Sequence, residues 1–502
     1  MRTILRHVLP GAPSGGVVVG LAAVLAASGF VLLVLQAAWP SDPGGATPAV
    51  TSAPAGAIYS RLICSFANDD ARAAQVQGAD GGISVMAGGR TYWLFGDTLL
   101  LPQSGRQIQP NAIAWSGQTA PGTCPKLTYY TRRGEAAPFV DKDGALTVWP
   151  MGPWRIGDHA FDFYTAYVYG SGPYAYWIGE VGLAQLDVRT MRVTMLARRL
   201  FDAKSGFGSQ VIGAAPVDVA NDGQLRVVLQ TLDHAELLAR VAPGRMGQAE
   251  AYEYWDGRGW TQSAAAAAPL WRAPHASDGV QRLASFENGA SFAWNAALGR
   301  YVAVVNTGFS SIGMRTAPRL EGPWSAPVTL VDCLAFARAA VPTCYSPLQH
   351  PQLATDGGRT LFVTLTRMQA YDTVAVEIRL GREIHEYAGA SDARAYGVSP
   401  PDGGWTDRGV VFDASAVALD GFAPVYRWER RGETQYALAV PAAGFTQGAV
   451  AFYAPPAASI AGSATRYRPV YAWAKGTSHA LSMTAAGPGD GYRREGVAFY
   501  AP

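Results

Sequence analysis

Residues 80–98 read Asp-Gly-Gly-Ile-Ser-Val-Met-Ala-Gly-Gly-Arg-Thr-Tyr-Trp-Leu-Phe-Gly-Asp-Thr. The apolar and β-branched residues on both sides of Gly88-Gly89 predict two short β-strands joined by a tight turn. Asp80 lies near the start of the first strand and Asp97 near the end of the second. Because a hairpin brings its two ends to one edge of a sheet, we expect these carboxylates to lie close together. Two neighbouring carboxyl groups are what most enzymes that cleave glycosidic bonds require.

The sequence around this hairpin, from about residue 57 to 375, is rich in short strands and turns and poor in amphipathic helices. Representative strand-like runs are 226–230, 300–305 and 360–365, and Asp-Gly turns recur at 143–144, 222–223 and 356–357. Regular alternation of turn and strand over so long a segment predicts a radially repeated sheet protein. We therefore expect an all-β chain whose residues 57–375 form a five-bladed β-propeller.

The last part of the chain, residues 376–502, contains a different repeat. Three segments place a Phe seven residues after a Gly-aromatic pair: Gly404-Trp405 before Phe412, Gly444-Phe445 before Phe452, and Gly491-Tyr492 before Phe499. Upstream, residues 424–428 match residues 469–473, and residues 376–380 form a weaker third copy. A threefold repeat of this length predicts a β-trefoil-like module.

The N-terminal segment, residues 1–56, predicts export. Arg2 and Arg6 precede a stretch without charged residues, of which residues 17–39 are almost all apolar and long enough to cross a bilayer as a helix. The length favours an uncleaved anchor to the inner membrane, with the N-terminus inside, over a cleaved signal peptide. Residues 40–56 read as a tether in the first case. In both cases the rest of the chain is extracytoplasmic.

Composition limits the partners and the redox compartment. The formal net charge of +2 argues against a nucleic-acid partner, because phosphate binding needs an excess of basic residues. The chain has 4 cysteines, and an even number outside the cytoplasm suggests two disulfides. Cys333 with Cys344 would close a short loop, which leaves Cys64 with Cys124.

Residues 80–98 resemble the propellers of domain-of-unknown-function family 4185, also classed as glycoside hydrolase family 183. Further similar pieces are residues 252–260, 313–317, 322–325 and 345–352. Characterised members cleave D-arabinan inside the chain, so the resemblance implies an endo-acting arabinofuranosidase. We expect no cofactor. Insertions of Ala, Gly and Trp in the middle blades depart from the family pattern. The C-terminal repeats are similar to repeat-of-unknown-function family 5648. Residues 385–387 and 478–479 of this chain keep part of that family's motif.

Three acids are candidates for catalysis. Asp80 and Asp97 belong to the hairpin, although an Asp-Gly turn and a capping aspartate are their simpler interpretations. Glu287 lies where a fourth blade should begin, although a Glu in a Glu-Asn-Gly turn is usually only exposed. We expect Asp80 and Asp97 to divide the acid and the nucleophile or base roles.

Other polar and aromatic residues are candidates for substrate binding. They are Asn111, Asp158, His159, Asp162 and His350. Solvation in a loop would explain Asp158, His159 and Asp162. A buried, hydrogen-bonded histidine would explain His350. Trp149 could stack on a sugar face, although most such aromatics pack between blades.

Three functions remain open on these observations. The first is an exported glycoside hydrolase that acts on a furanose polysaccharide, D-arabinan by resemblance. The second is a non-catalytic carbohydrate-binding or adhesion protein of the cell surface, which the trefoil-like repeats suggest. The third is a structural envelope scaffold, which predicts a channel mouth without a carboxylate pair.

Overall fold

The computed structural model describes residues 59–501, except 102–106, 171–175, 203, 273–289, 309–310, 334–343, 369, 391–392, 398–399, 402, 416–417, 419–421, 458–466 and 490. The predicted membrane anchor at residues 17–39 and the candidate Glu287 lie outside the described residues. Within the described ranges, no helix has the length and apolar character that crossing a bilayer requires.

Strand β1 (Tyr59–Ser65) and helix α1 (Asp69–Ala73) precede five antiparallel sheets. The first sheet contains β2 (Val76–Ala87), β3 (Arg90–Leu100), β4 (Gln107–Gln109), β5 (Ala112–Ser116) and β6 (Thr128–Tyr129), followed by a small hairpin of β7 (Thr131–Arg132) and β8 (Glu135–Ala136). The second contains β9 (Thr147–Ile156), β10 (Ala160–Gly170), β11 (Tyr176–Asp187) and β12 (Arg192–Asp202). The third contains β13 (Val211–Val219), β14 (Leu225–Thr231), β15 (Ala235–Val241), β16 (Glu253–Trp255), β17 (Trp260–Thr261) and β18 (Pro269–Arg272).

The fourth sheet contains β19 (Ser291–Asn295), β20 (Arg300–Gly308), β21 (Ser311–Ala317) and β22 (Val328–Asp332). The fifth contains β23 (Cys344–Gln349), β24 (Thr360–Arg367) and β25 (Asp372–Arg379), and β1 completes it as the outermost strand. Short 3-10 helices occur at Pro243–Arg245, Ala249–Ala251, Ala264–Ala266, Pro351–Leu353 and Asp356–Gly358.

The five sheets form a closed ring. Their first strands contact one another in the cyclic order β2, β9, β13, β19, β23 and back to β2. A separate hydrophobic core fills the space between each pair of neighbouring sheets, so every sheet is buried on both faces. Antiparallel pairing of β1 with β25 joins the start of the ring to its end. This arrangement confirms the predicted five-bladed β-propeller, and the β2–β3 hairpin is the inner half of its first blade.

The C-terminal residues form three similar three-stranded units. The first contains β26 (Gly381–Ala388), β27 (Arg394–Gly397) and β28 (Thr406–Ser415); the second β29 (Ala423–Arg430), β30 (Glu433–Ala437) and β31 (Thr446–Ala454); the third β32 (Arg468–Lys475), β33 (Ser478–Ser482) and β34 (Arg493–Ala501). In each unit the first strand pairs with both of the others. Phe412, Phe452 and Phe499 meet in the shared core with all three ring-centroid distances equal to 5.5 Å. The threefold repeat is therefore present, while its β-trefoil form stays a prediction.

The first copy of this repeat begins later than the sequence predicts. Residues 376–379 belong to β25, whose register with β1 places them in the fifth blade, so the predicted boundary after residue 375 falls inside a propeller strand. The first copy is β26, in which Ile384 occupies the core position that Val425 and Val470 hold in the other copies. The misassignment arose because a fully buried blade strand has the same apolar pattern as a repeat strand.

The cysteines pair as the sequence suggests. Cys64 is bonded to Cys124, with a Cα–Cα distance of 5.7 Å, and Cys333 is bonded to Cys344, with a Cα–Cα distance of 6.1 Å. The second bond links the end of the fourth blade to the first strand of the fifth.

Candidate active site

A glycine-dependent bulge in β2 aligns the two aspartates. Ala79 pairs with Thr98 and Gly81 pairs with Phe95, and the register shifts on both sides of Gly81. Gly81 and Gly82 have φ angles of 78° and 90°, a region that residues with a Cβ rarely adopt. The bulge sets Asp80 opposite the segment that contains Asp97, so the hairpin register itself brings them together.

The contact between the aspartates is direct. The backbone N–H of Asp97 donates a hydrogen bond to the Asp80 carboxyl group. Gly96 makes this approach possible, because a Cβ at that position would overlap Oδ1 of Asp80. Both aspartates keep partial exposure to solvent. The two aspartates therefore lie in contact with each other, and each keeps a route to solvent.

The second blade holds the Asp97 carboxylate. Thr147 Oγ1 donates to Asp97 Oδ1 at 2.8 Å, and Trp149 Nε1 donates to the same oxygen at 3.2 Å. Both donors lie on β9, the strand nearest the channel axis. Among the described residues, these side-chain bonds engage only one of the two carboxylate oxygens. Trp149 thus contacts the site by its indole N–H, a role other than the predicted stacking on sugar.

The fifth blade holds the Asp80 carboxyl group. Tyr345 donates its hydroxyl to Asp80 Oδ2 at 3.2 Å, and Tyr371 lies 3.4 Å from the same oxygen. The Tyr371 hydroxyl also lies 3.4 Å from the backbone oxygen of Asp97. Both tyrosines are hundreds of residues away in sequence from the hairpin they contact, and sequence reasoning missed them.

Both aspartates hold protons more tightly than ordinary aspartates. Burial, together with the charge of Asp97, raises the pKa of Asp80 to about 8, against the opposing hydrogen bonds from Tyr345, Tyr371 and the Asp97 backbone. Burial raises the pKa of Asp97 to about 6, and the bonds from Thr147 and Trp149 oppose that rise. Near neutral pH the two coupled groups therefore share one proton, and the larger rise at Asp80 favours that residue as its holder.

Packing on both faces of β3 fixes the hairpin that carries this pair. Trp93 and Phe95 point into the core shared with the fifth blade, where they contact Phe66. Tyr92 points into the core shared with the second blade and contacts Phe161. Strand β3 is thus held between two neighbours, which leaves little freedom for Asp97 at its end.

Asn111 is a structural residue, which corrects its assignment to substrate binding. Its side chain is fully buried, its Oδ1 accepts from the backbone N–H groups of Phe139 and Val140, and its Nδ2 donates to the backbone oxygens of Val140 and Val148. Backbone groups occupy both ends of the amide, so none of it faces a sugar.

His350 is also structural. Its ring is buried, with Nδ1 2.5 Å from Ser84 Oγ and Nε2 2.9 Å from Thr364 Oγ1. Burial lowers the pKa of His350 to about 3, so the imidazole is neutral at physiological pH. This is the buried, hydrogen-bonded histidine of the simpler interpretation.

The predicted group of Asp158, His159 and Asp162 lies away from the aspartate pair. Asp158 and His159 are exposed in the β9–β10 turn, where the Asp158 backbone oxygen accepts from Gly88 N–H at the opposite end of the β2–β3 hairpin. Asp162 is buried and accepts a bond of 2.8 Å from Gln185 Nε2. The prediction was wrong because proximity in sequence along a long strand does not give proximity to the mouth.

No cluster of three or more metal-ligating side chains occurs among the described residues. A groove of about 340 Å³ lies where the fifth blade meets the C-terminal repeats, lined by Arg359, Asp413 and Arg468, among others. Its acid is already paired, with Arg359 Nη1 3.1 Å from Asp413 Oδ2.

Comparison with known families finds one match. The family described as "Domain of unknown function (DUF4185)" matches residues 223–377. These residues run from the third blade to the last strand of the fifth and exclude the 80–98 hairpin. No curated protein matches this chain in sequence.

Several solved structures are similar to this chain. A provisionally named hydrolase from Bacteroides ovatus aligns with a TM-score of 0.44 and 13% identity, over 61% of this chain and 87% of its own. The arabinoxylan arabinofuranohydrolase of Bacillus subtilis aligns with a TM-score of 0.39 and 11% identity, over 88% and 94% of the two chains. The endo-arabinase of Bacteroides thetaiotaomicron aligns with a TM-score of 0.36 and 11% identity, over 60% and 94%.

Proposed function

We propose that the protein is a glycoside hydrolase whose catalytic pair is Asp80 and Asp97. The observation that carries the proposal is the contact between two enclosed carboxyl groups, Asp80 and Asp97, whose pKa values are both raised and raised unequally. Environments that separate two carboxyl pKa values in this way are typical of acid and base assignments in active sites. A structural scaffold has no use for such a pair.

The geometry suggests a role for each acid. Asp80 donates its proton to the glycosidic oxygen as the bond from that oxygen to the anomeric carbon breaks. Asp97 acts through its carboxylate, either on the anomeric carbon or on a water that attacks it. Thr147 and Trp149 hold one oxygen of Asp97, which aims the other. NMR of the first-formed product distinguishes the two roles of Asp97, because direct attack retains the anomeric configuration and attack by water inverts it.

The substrate class in this proposal is a furanose polysaccharide, with D-arabinan cleaved inside the chain. Its support is the resemblance of residues 80–98 to a family with that activity. We further propose that the protein acts outside the cytoplasm, held at the inner membrane by residues 17–39 or released by their cleavage. The two disulfides support this location, since such bonds persist in oxidising compartments.

The test is incubation of the full chain with D-arabinan and, in parallel, with L-arabinan, followed by chromatography of released oligosaccharides. We expect a ladder of oligosaccharides from D-arabinan alone. Cleavage of neither polymer by wild-type protein that still retains D-arabinan on an affinity gel would contradict catalysis and favour the carbohydrate-binding alternative.

A further inference from the structure

The Tyr371 hydroxyl lies between an atom of each catalytic aspartate. It is 3.4 Å from Asp80 Oδ2 and 3.4 Å from the backbone oxygen of Asp97. Both distances are long for an O–H···O bond, so the hydroxyl makes a weak contact with each oxygen and a strong bond with neither. A single hydroxyl can donate one bond and accept others, and it rotates to suit its neighbours.

The backbone around Tyr371 is shaped to put the hydroxyl there. Tyr371 lies in the turn between β24 and β25 with a φ of 47°, which is unfavourable for a residue with a large side chain. Its backbone oxygen packs against Gly78 on β2, where any Cβ would overlap that oxygen. Gly78 is two residues before Asp80, so the strained turn packs directly against the strand that carries Asp80. The ring itself is buried.

We propose that Tyr371 is a positioning residue that switches its O–H between the two aspartates as Asp80 loses and regains its proton. While Asp80 is protonated, Tyr371 donates to the Asp97 backbone oxygen and can accept from the Asp80 carboxyl group. When Asp80 has given its proton to the departing sugar oxygen, Tyr371 turns its O–H to the new carboxylate at Oδ2. The bond to Asp80 therefore strengthens as negative charge develops on its carboxyl group during proton transfer, and it stabilises the transition state more than the ground state.

The groups that face Asp80 are few. Apart from burial, the largest influences on its pKa come from Asp97 on β3, Tyr345 on β23 and Tyr371 itself, and none of these is a cation. The hydrogen bonds that favour the ionised form of Asp80 come from the two tyrosine hydroxyls and the Asp97 backbone N–H. Burial and the charges of Asp80, Tyr345 and Asp97 raise the pKa of Tyr371, so its hydroxyl stays protonated and remains a donor.

The test measures the pKa of Asp80 directly by carbon NMR of full-length protein labelled at the aspartate carboxyl carbon. The Asp80 signal is identified by its loss in Asp80→Asn. In Tyr371→Phe we expect the pKa of Asp80 to rise by about one unit, because its charged form loses a donor. Difluorotyrosine placed at position 371 is a second, nearly isosteric variant, and its more acidic hydroxyl should move the pKa in the opposite direction. Tyr164→Phe, which removes another buried hydroxyl outside this site, is the matched control and should leave the pKa unchanged.

Kinetics separate positioning from substrate contact. The kinetic expectation rests on the proposed function, because it takes Asp80 as the acid. On D-arabinan, Tyr371→Phe should lower kcat about tenfold at unchanged KM, since the lost bond forms only as the proton leaves. An Asp80 pKa that does not rise in Tyr371→Phe, or a raised KM with kcat intact, overturns the inference. If the wild type cleaves no glycan, the proposed function fails, and the NMR titration still decides whether Tyr371 holds Asp80.

Discussion

Two enclosed acids in this molecule have opposite surroundings. Glu433 in the second C-terminal repeat bonds Arg430 Nη2 at 2.9 Å and His479 Nε2 at 2.6 Å. Burial alone would raise its pKa, but these two partners outweigh burial and hold the pKa of Glu433 below its ordinary value. Asp80 is enclosed by another carboxylate and two tyrosines, and its pKa rises.

The comparison distinguishes an acid that stabilises the fold from an acid suited to proton transfer. An acid with cationic partners stabilises the fold and stays ionised. When an enclosed acid lacks cationic partners, its charged form is destabilised. Such an arrangement is usually retained at a site that moves protons. Glu433 in the C-terminal module illustrates the first arrangement, and Asp80 in the propeller illustrates the second.

The most direct way to break this comparison is to remove each acid. Asp80→Asn or Asp97→Asn should lower kcat/KM for D-arabinan by about 10²- to 10⁴-fold, because each removes an acid or base from the reaction. Glu433→Gln should leave kcat/KM unchanged. Initial rates of oligosaccharide release measure all three, and equal losses in all three would erase the distinction.

Gly96→Ala tests the approach of the two aspartates without removing either. The added methyl group would overlap Oδ1 of Asp80, so the carboxyl group must move and we expect kcat/KM to fall about 100-fold. Gly117→Ala is the matched control, since open space surrounds that position. Loss of activity in both variants would point to a general effect of glycine replacement.

The pH dependence of kcat/KM should be bell-shaped. Activity should rise as the pH passes about 6, when Asp97 ionises, and fall above about 8, when Asp80 loses its proton. Each unit beyond either limit should cost roughly tenfold in rate. The residual activity of Asp97→Asn should lack the acidic limb, and persistence of that limb would mean that another group produces it.

The smallest effects are on stability, and their signs differ between the two regions. The folded-state pKa of Asp80 is above that of the unfolded chain, so the folded protein binds the extra proton and loses stability as pH rises from about 4 to 8. Asp80→Asn should therefore raise the free energy of unfolding at pH 8, where the wild type has lost the stability of the bound proton, and should give no gain at pH 4. Glu433→Gln should lower it by about 2 kcal/mol at pH 8, through the lost bond to the charged Arg430 guanidinium and the lost bond to His479. Urea titrations at the two pH values measure both, and a loss in Asp80→Asn at pH 8 would contradict the raised pKa.

The sequence predicted the features that depend on residues close to one another along the chain. The hairpin with its Gly88-Gly89 turn, the two aspartates and the recurring Phe412, Phe452 and Phe499 are all of this kind. The five blades followed from turn and strand spacing. In each case local spacing alone determines which residues share a sheet or a face.

The remaining features depend on contacts between distant segments. Tyr345 and Tyr371 lie 265 and 291 residues after Asp80 and have no local pattern that marks them. Asn111 and His350 looked like binding residues because an amide and an imidazole serve folding and catalysis equally well. Only their buried partners distinguish the two uses. Residues 376–380 were assigned to the repeats because apolar alternation does not reveal which sheet a strand joins.

Closure of the ring by β1 and β25 makes the order of folding matter for this site. Tyr59 pairs with Arg379, so the ring closes only after the ribosome has released almost all of the propeller. Until then the β2–β3 hairpin can form by itself, with Asp80 and Asp97 in contact with water and titrating as ordinary aspartates. On the proposed function, activity therefore depends on completion of the last blade, and we expect a chain that stops before Tyr371 to be inactive even though it contains both acids.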